Sequence, residues 1–496
     1  MDICHDKKPR RFADLYSLLW ICTTTPAETG THTDFRPAGF RNRETSASQL
    51  KNCNRQGISV PVWACINPGS EHPIHTENVS DPLRLLTKNT VNPMQLNSCK
   101  KTYNNETQRA APLGETLARI EPKVPAAGIT RVADITNLDR IGIPVFSCIR
   151  PTAMDGAITV YNGKGATVEE SRISAIMEGI ERYSSEMHDR RLPMATYMEM
   201  FARGRTLDPG DLILPKEADK DRLMPWYEGF DIVNNEPVFV PAHAVFHPLP
   251  PNYRGPFRTN TNGLASGNTF EEAVFHALSE VIERDAWSLV EACRDTGPCV
   301  TGITDPAILD MQEKFARAQV EVKVRDITSD IGVPTMAAVA DDVLLKDPVL
   351  LTIGIGTHTS ARIAVMRALT EVAQSRLTQI HGAREDTTLA EMRKKMGYER
   401  AKRINRYWFK DNGTVDYSTV RSSDTDDFKK DIENIIGSLE KQGMERVIIV
   451  DLTREEIGIP VVRVIVPGLE VFAMDQERRG ERVKNAQDHR LSRAQP

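Results

Sequence analysis

Two short carboxylate motifs carry the chemistry of this chain. Glu178-Gly-Ile-Glu181-Arg182 and Glu280-Val-Ile-Glu283-Arg284 share the form Glu-x-Ile-Glu-Arg. On a helix, spacings of three and four put both carboxylates and the arginine of each copy on one face. One copy alone reads as a solvated helix with weak intrahelical Glu–Arg pairs. The same motif twice argues for an inward polar site fed by two helices. Four carboxylates converging there would repel one another and raise each other's pKa. A hard divalent cation removes that conflict, and Mg²⁺ takes oxygen ligands and commonly works with nucleotide phosphates.

Walking back along the same faces adds Ser171 and Ser174 in the first copy, and Glu272 and His276 in the second. Gly163-Lys164-Gly165-Ala166-Thr167 precedes the first copy. Its glycines permit close backbone approach, its lysine supplies a cation, and a helix N-terminus favours phosphate. The spacing is not that of a Walker loop, and a plain turn would look the same. Thr261–Asn268 is a small-residue loop entering the second copy, with Asn268 either a ligand contact or, like Thr269, an N-cap. Glu371-x-x-Gln374-Ser375-Arg376 offers a guanidinium able to clamp phosphate, although an ordinary helix segment also fits. His243 and His247 have no acidic ligand at zinc spacing and read as ordinary histidines. There is no Gly-x-Ser-x-Gly elbow and no cysteine marked as a nucleophile.

These residues need elements to hold them. Helical periodicity predicts helices over 168–187, 270–294, 308–318 and 362–380. Apolar β-branched runs predict strands at Val145–Ile149, Val238–Val240, Val349–Ile353 and Val447–Val450. The charged run 424–441 fits a solvated amphipathic helix. An internal repeat links Asp134-Ile-Thr to Ile141-Gly-Ile-Pro144, Asp326-Ile-Thr to Ile331-Gly-Val-Pro334, and Asp451-Leu-Thr to Ile457-Gly-Ile-Pro460. Each reads as a strand–turn–strand unit, which implies a domain with internal pseudo-symmetry.

The whole chain sets outer bounds. Its 496 residues, 40% hydrophobic and 26% charged, suffice for a sizeable core. A net charge of −5 argues against general nucleic-acid or anionic-membrane binding, and no run approaches the roughly 20 apolar residues of a membrane span. Five of the eight cysteines lie in the first 100 residues and no CxxC pair occurs, so a reduced cytoplasm is the expected compartment. Basic residues before Leu15–Cys22 loosely suggest a signal peptide, but Asp14 and Ser17 break the pattern. Residues 1–110, rich in Thr, Asn, Ser and Pro, read as a disordered or non-native extension, with Met94 a candidate alternative start. Residues 111–475 form the expected domain and 476–496 a tail. The fold class is α/β (α+β): one large domain with mixed sheets, flanking helices and internal pseudo-repeats.

Across residues 114–470 the chain resembles the YcaO family. Four motifs carry the resemblance in order: Gly163-Lys-Gly-Ala-Thr; Ser174-x3-Glu178-x2-Glu181-Arg182; Asn268-x3-Glu272-x7-Glu280-x2-Glu283-Arg284; and Gln374-Ser-Arg376. The resemblance implies a non-Walker site for ATP and Mg²⁺. Glu178, Glu181, Glu280 and Glu283 would then hold metal. Lys164, Ser174, Arg182, Asn268, Glu272, Arg284, Gln374 and Arg376 would contact nucleotide or order the site, with Glu181, Glu283 and Arg376 closest to the chemistry. Family chemistry phosphorylates a peptide-bond oxygen, after which an internal nucleophile gives an azoline or external sulfide gives a thioamide.

The stretch Gly128–Pro144 resembles methanogen-type members, which install thioglycine in the methyl-coenzyme M reductase α subunit, usually with a TfuA-type partner. Azoline-forming members typically end in Pro-x-Pro, whereas this chain ends Ala494-Gln495-Pro496. Thioamidation with a sulfide donor, in a homodimer, is therefore the leading expectation. Azoline formation and a non-catalytic ATP-binding accessory role are the alternatives.

Overall fold

The structure, a computed structural model, describes residues 94–253, 255–385 and 389–494. The expected disorder of residues 1–93 lies outside the described residues. For residues 94–110 the expectation is corrected: this segment is folded onto the domain. Strands β1 (Tyr103–Asn104) and β2 (Gln108–Arg109) form a small hairpin, followed by helix α1 (Leu113–Ile120). The buried Lys101 side chain donates to Asp431 at 2.5 Å, an ion pair that composition alone does not reveal.

The Asp-x-Thr…Gly-x-Pro repeat builds three antiparallel hairpins. They are β3 (Arg131–Asp134) with β4 (Val145–Ile149), β11 (Glu321–Asp326) with β12 (Thr335–Asp341), and β15 (Ile448–Asp451) with β16 (Val461–Ile465). The same bonds recur in each. The aspartate accepts from the threonine N–H (2.8, 2.9 and 2.8 Å). The threonine hydroxyl accepts from the N–H that opens the second strand (3.1, 3.0 and 3.2 Å). Gly142, Gly332 and Gly458 sit at φ of +76°, +78° and +68°, a backbone region costly for other residues.

Each hairpin founds a different sheet. The first is completed by β5 (Val160–Lys164). In the sheet of the third hairpin, β15 and β16 lie between β7 (Met224–Asp231) and β9 (Leu264–Ser266), with β6 (Met194–Ala195) and β8 (Glu236–Pro241) pairing β7. The second hairpin, β11 with β12, adds β13 (Thr352–Thr357), β10 (Cys299–Thr301) and β14 (Thr414–Asp416). In this sheet β10 pairs β14 in parallel while its other pairs are antiparallel, so the expected mixed sheets are present. Val349–Ile353 is not one strand: Pro348–Leu350 is a short 3-10 turn, because the Asp347 side chain accepts from Val349 N–H and Pro348 suits a turn.

Three long helices cover the sheets: α2 (Val168–Ser185), α4 (Phe270–Cys293) and α6 (Ala361–His381). Shorter helices lie between and after them: α3 (Tyr197–Phe201), α5 (Pro306–Arg317), α7 (Leu389–Met396), α8 (Tyr398–Ile404) and α9 (Arg406–Phe409). The charged run forms α10 (Phe428–Lys441), as expected, with Asp427 as its N-cap. Cores form around each long helix. Ile173, Ile176 and Ile180 pack with Phe146 and Val461; Phe275, Leu278 and Ile282 with Val462 and Val464; Val365 and Leu369 with Val324 and Met336. The predicted tail is corrected too: α11 (Glu481–Ala494) docks on α4, with Arg482 on Asp285 at 2.8 Å and Gln487 donating to Ala292 O.

Candidate active site

Each long helix follows its strand by the same three-residue link: 165–167 after β5, 267–269 after β9, 358–360 after β13. Thr167 and Thr269 cap α2 and α4 by accepting from Glu170 and Glu272 N–H. Glycines in the strand or just after it let each helix lie directly on its strand. A Cβ on Gly163 would stand 2.0 Å from Ala175 N, on Gly267 2.5 Å from Ala273 N, and on Gly354 2.3 Å from Ala368 O. The glycines around Lys164 are thus required by helix packing, whatever else they approach.

Aligning the three helices on their first residues exposes a third copy of the carboxylate motif. Ten residues on stand Glu178, Glu280 and Glu371; thirteen on stand Glu181, Glu283 and Gln374; six on stand Ser174, His276 and Arg367. The thirteenth positions close a ring. Glu181 accepts from Ser266 N–H of β9 at 3.0 Å, and Glu283 accepts from Thr357 N–H of β13 at 3.0 Å. Gln374 donates its amide to the Asn162 carbonyl of β5. Each unit reaches the next, and the third requires an amide because its partner is an acceptor.

Inside this ring lies a cleft of about 210 Å³. Glu178, Glu181, Glu280, Lys164, Ser174, Asn268 and Glu272 line it, as the sequence reading expects. Ser174 Oγ accepts from Lys164 N–H at 3.4 Å, and Lys164 Nζ pairs with Glu371. Asn268 donates to Glu272 at 3.1 Å and accepts from Thr116 at 2.9 Å. Five expected residues are not among the lining. Glu283 is occupied by Thr357, Gln374 by Asn162, and Arg182 pairs with Glu178 at 3.1 Å. Arg284 lies over the Trp287 ring at 5.4 Å. Arg376, expected to clamp phosphate, is instead fully buried, and its guanidinium grips Asp139 at 2.8 Å and Asp342 at 3.0 Å.

Two basic lining residues lay outside the sequence reading. Arg367 takes the sixth position of α6 and becomes visible only once the three helices are aligned from their strand ends. Arg109 comes from β2, inside the segment read as disordered, and no spacing signal marks it. It donates to His276 Nε2 at 2.6 Å and lies 3.8 Å from Glu272, whose carboxylate also accepts from Ala110 N–H at 2.9 Å. Burial pushes His276 down to about 4, so the ring accepts as a neutral imidazole. Burial alone would raise Glu272, but the Arg109 charge and the Ala110 N–H oppose it and the carboxyl is held low.

The surroundings of three other carboxylates disfavour their ionised form. Burial lifts Glu181 to about 8, with Arg182 opposing and Glu178 and Glu280 adding to the rise. Burial likewise raises Glu280 and Glu283, the latter helped by the Glu371 charge. Among the described residues, no three carboxylates, imidazoles or thiols converge tightly enough to hold a metal unaided. That donor set fits Mg²⁺, which commonly takes one or two carboxylates and fills its octahedron with phosphate oxygens and water. Phosphate has its own donors here: Lys164, and Arg367, whose buried Nε has no partner among the described residues.

Comparison with known proteins agrees with this geometry. Residues 162–470 match the family model described as YcaO cyclodehydratase, ATP- and Mg²⁺-binding. An uncharacterised protein of Methanothermobacter thermautotrophicus is 52% identical over 379 residues, 75% of this chain and 97% of its own. An uncharacterised protein from the tfuA 3′ region of Rhizobium leguminosarum is 33% identical, over 73% of this chain and 89% of its own. The structure of YcaO from Methanopyrus kandleri, bound with AMPPCP and Mg²⁺, superposes with a TM-score of 0.66 at 30% identity, covering 77% of this chain and 98% of that one.

Proposed function

The chain belongs to the YcaO family, whose members are ATP- and Mg²⁺-dependent enzymes, and from that premise we propose that it thioamidates a backbone glycine of the methyl-coenzyme M reductase α subunit. The observation that carries the ATP-dependent part is the ring itself: three strand–helix units bring Glu178, Glu181 and Glu280 together with Lys164 and Arg367 around one cleft. The thioglycine part draws on the methanogen relative, 52% identical, and on the relative from a tfuA region, which favours a TfuA-type partner.

Magnesium ATP would supply the phosphoryl group that makes an amide oxygen a leaving group. The chain's own residues do the positioning. Glu178, Glu181 and Glu280 would face the cation, while Glu283 and Gln374 hold the ring closed through Thr357 and Asn162. Lys164 would exchange its Glu371 partner for phosphate, and Arg109, fixed by His276 and Glu272, lines the same cleft. Such preorganised charge is the main lever in phosphoryl transfer.

The test is ATP hydrolysis with and without a glycine-containing peptide from the reductase, plus sulfide, followed by peptide mass. Peptide-stimulated hydrolysis with oxygen-to-sulfur exchange is expected. Stimulation with loss of water would instead establish azoline formation, the reading favoured by the cyclodehydratase description of the matched family. Nucleotide binding without turnover, even with a TfuA-type partner added, would leave only the accessory role.

A further inference from the structure

A second cleft, of about 60 Å³, opens among the turn at Pro209–Leu212, the turn at Ala242–Ala244, and the end of β16 with the chain after it. Two arginines line it, Arg463 and Arg478, exposed by only 3% and 4%. Buried guanidinium groups are normally paired with carboxylates. These two are held by neutral groups instead. Arg463 donates to the Asn260 carbonyl at 2.9 Å and to its side chain at 3.2 Å. Arg478 donates to the carbonyls of Ile213 and Leu212 and lies 4.2 Å over the Phe257 ring. The Arg463 Nε has no partner among the described residues.

Charges around the cleft do not cancel them. Glu280 and Glu181 are felt by Arg463, and Asp475 and Glu470 by Arg478, but none comes within ion-pair distance. Burial pushes Arg463 down to about 9 and Arg478 to about 10, so the protein holds two cations under strain that an anion would relieve. Asp211 also lines the cleft, but it is exposed.

The third polar group selects among anions. His243, exposed by 4%, donates Nε2–H to the Tyr253 carbonyl at 3.0 Å. Burial drops it to about 4, so it is neutral near pH 7. Its Nδ1 is then an acceptor, and it has no partner among the described residues. An acceptor beside two guanidinium donors suits an anion that also carries an O–H. Hydrogen phosphate has one at neutral pH and sulfate does not. A water needs only about 10–15 Å³ of such space, so the cleft takes a tetrahedral oxyanion but not a nucleotide.

We propose that this cleft is a site for inorganic phosphate, held by Arg463 and Arg478 and selected against sulfate by His243. Phosphate is what ATP cleavage in the neighbouring ring releases, but binding can be tested without any turnover, so its failure would not touch the thioamidase reading.

The experiment measures the thermal midpoint of the full chain, with magnesium AMPPNP saturating the ring cleft, in sodium phosphate or sodium sulfate at equal ionic strength. Phosphate at about a hundredfold excess over its dissociation constant should raise the midpoint by about 3 °C or more, with a much smaller rise in sulfate. R478Q should lose the phosphate shift, R478K should keep part of it, and H243A should make the two anions equivalent. Equilibrium dialysis with radiolabelled phosphate should find one site in the nucleotide-saturated protein and none in R478Q, with R478K retaining weaker binding. Equal shifts in phosphate and sulfate, or an undiminished phosphate shift in R478Q, would overturn the proposal.

Discussion

Glu181 shows how a single carboxylate can couple stability to function. Its ordinary pKa of 4.5 is lifted to about 8 by burial. The folded state therefore holds the proton more tightly than the unfolded state does. Its contribution to stability is greatest below about 4.5 and is lost as pH rises through about 8. In metal-free protein the thermal midpoint should fall over that window, and Glu181→Gln should flatten the fall. Magnesium ATP should reverse it in the wild type, since a cation restores the ionised form. The same substitution should cut ATP turnover by at least about 100-fold, as loss of one preorganised charge does elsewhere. Full turnover in E181Q would remove Glu181 from the metal set. Arg376 makes the opposite case. Arg376→Met leaves Asp139 and Asp342 buried without it, so it should cost about 3–5 kcal/mol in chemical denaturation. Nucleotide affinity, by calorimetric titration, should stay unchanged wherever the variant folds. A large loss of affinity at full stability would restore the phosphate-clamp reading.

At the scale of elements, glycine does two separable jobs. At Gly163 it lets α2 lie on β5, and a Cβ would strike backbone rather than a movable side chain. Gly163→Ala should therefore cost about 1–3 kcal/mol or more and disturb the cleft with it. Gly114, in α1, has open space around its Cβ position, and Gly114→Ala should stabilise by about 0.5–1 kcal/mol. Denaturation midpoints of the two variants in opposite directions would bear this out; equal effects would contradict the packing account. Gly142, Gly332 and Gly458 also have open space, so only their positive φ resists substitution. Alanine at each should cost a similar amount, about 1–2 kcal/mol, because the three turns are the same structure.

For the molecule as a whole, the ring of three units is the organising device. Glu181, Glu283 and Gln374 each fasten one helix to the strand of another unit, so the cleft exists only when all three units are assembled. Gln374→Glu is a minimal test. It keeps shape but sets a carboxylate against the Asn162 carbonyl, and it should weaken both stability and ATP affinity, measured by denaturation and titration. Wild-type behaviour in Q374E would show that the closure does not matter. Among the described residues no helix is long and apolar enough to cross a membrane.

Local chemistry was written in the sequence and long-range closure was not. Glu178, Glu181, Glu280 and Glu283 were legible because helical spacing puts them on one face whatever surrounds them. The hairpin repeats were legible because Asp, Thr, Gly and Pro act on their own neighbours through bonds a few residues long. Most predicted helices and strands fell close to place for the same reason. What tertiary structure decided is which groups meet. It spent Arg376 on two buried aspartates far off in sequence, brought Arg109 in from a segment without periodicity, and set Gln374 against Asn162. It also showed that Glu371 and Arg367 repeat the positions of Glu178 and Ser174, a likeness hidden because the third copy kept the place and changed the side chains. Hydrogen bonds within a turn follow from the order of residues, whereas a pair separated by hundreds of residues exists only once the cores around it have packed.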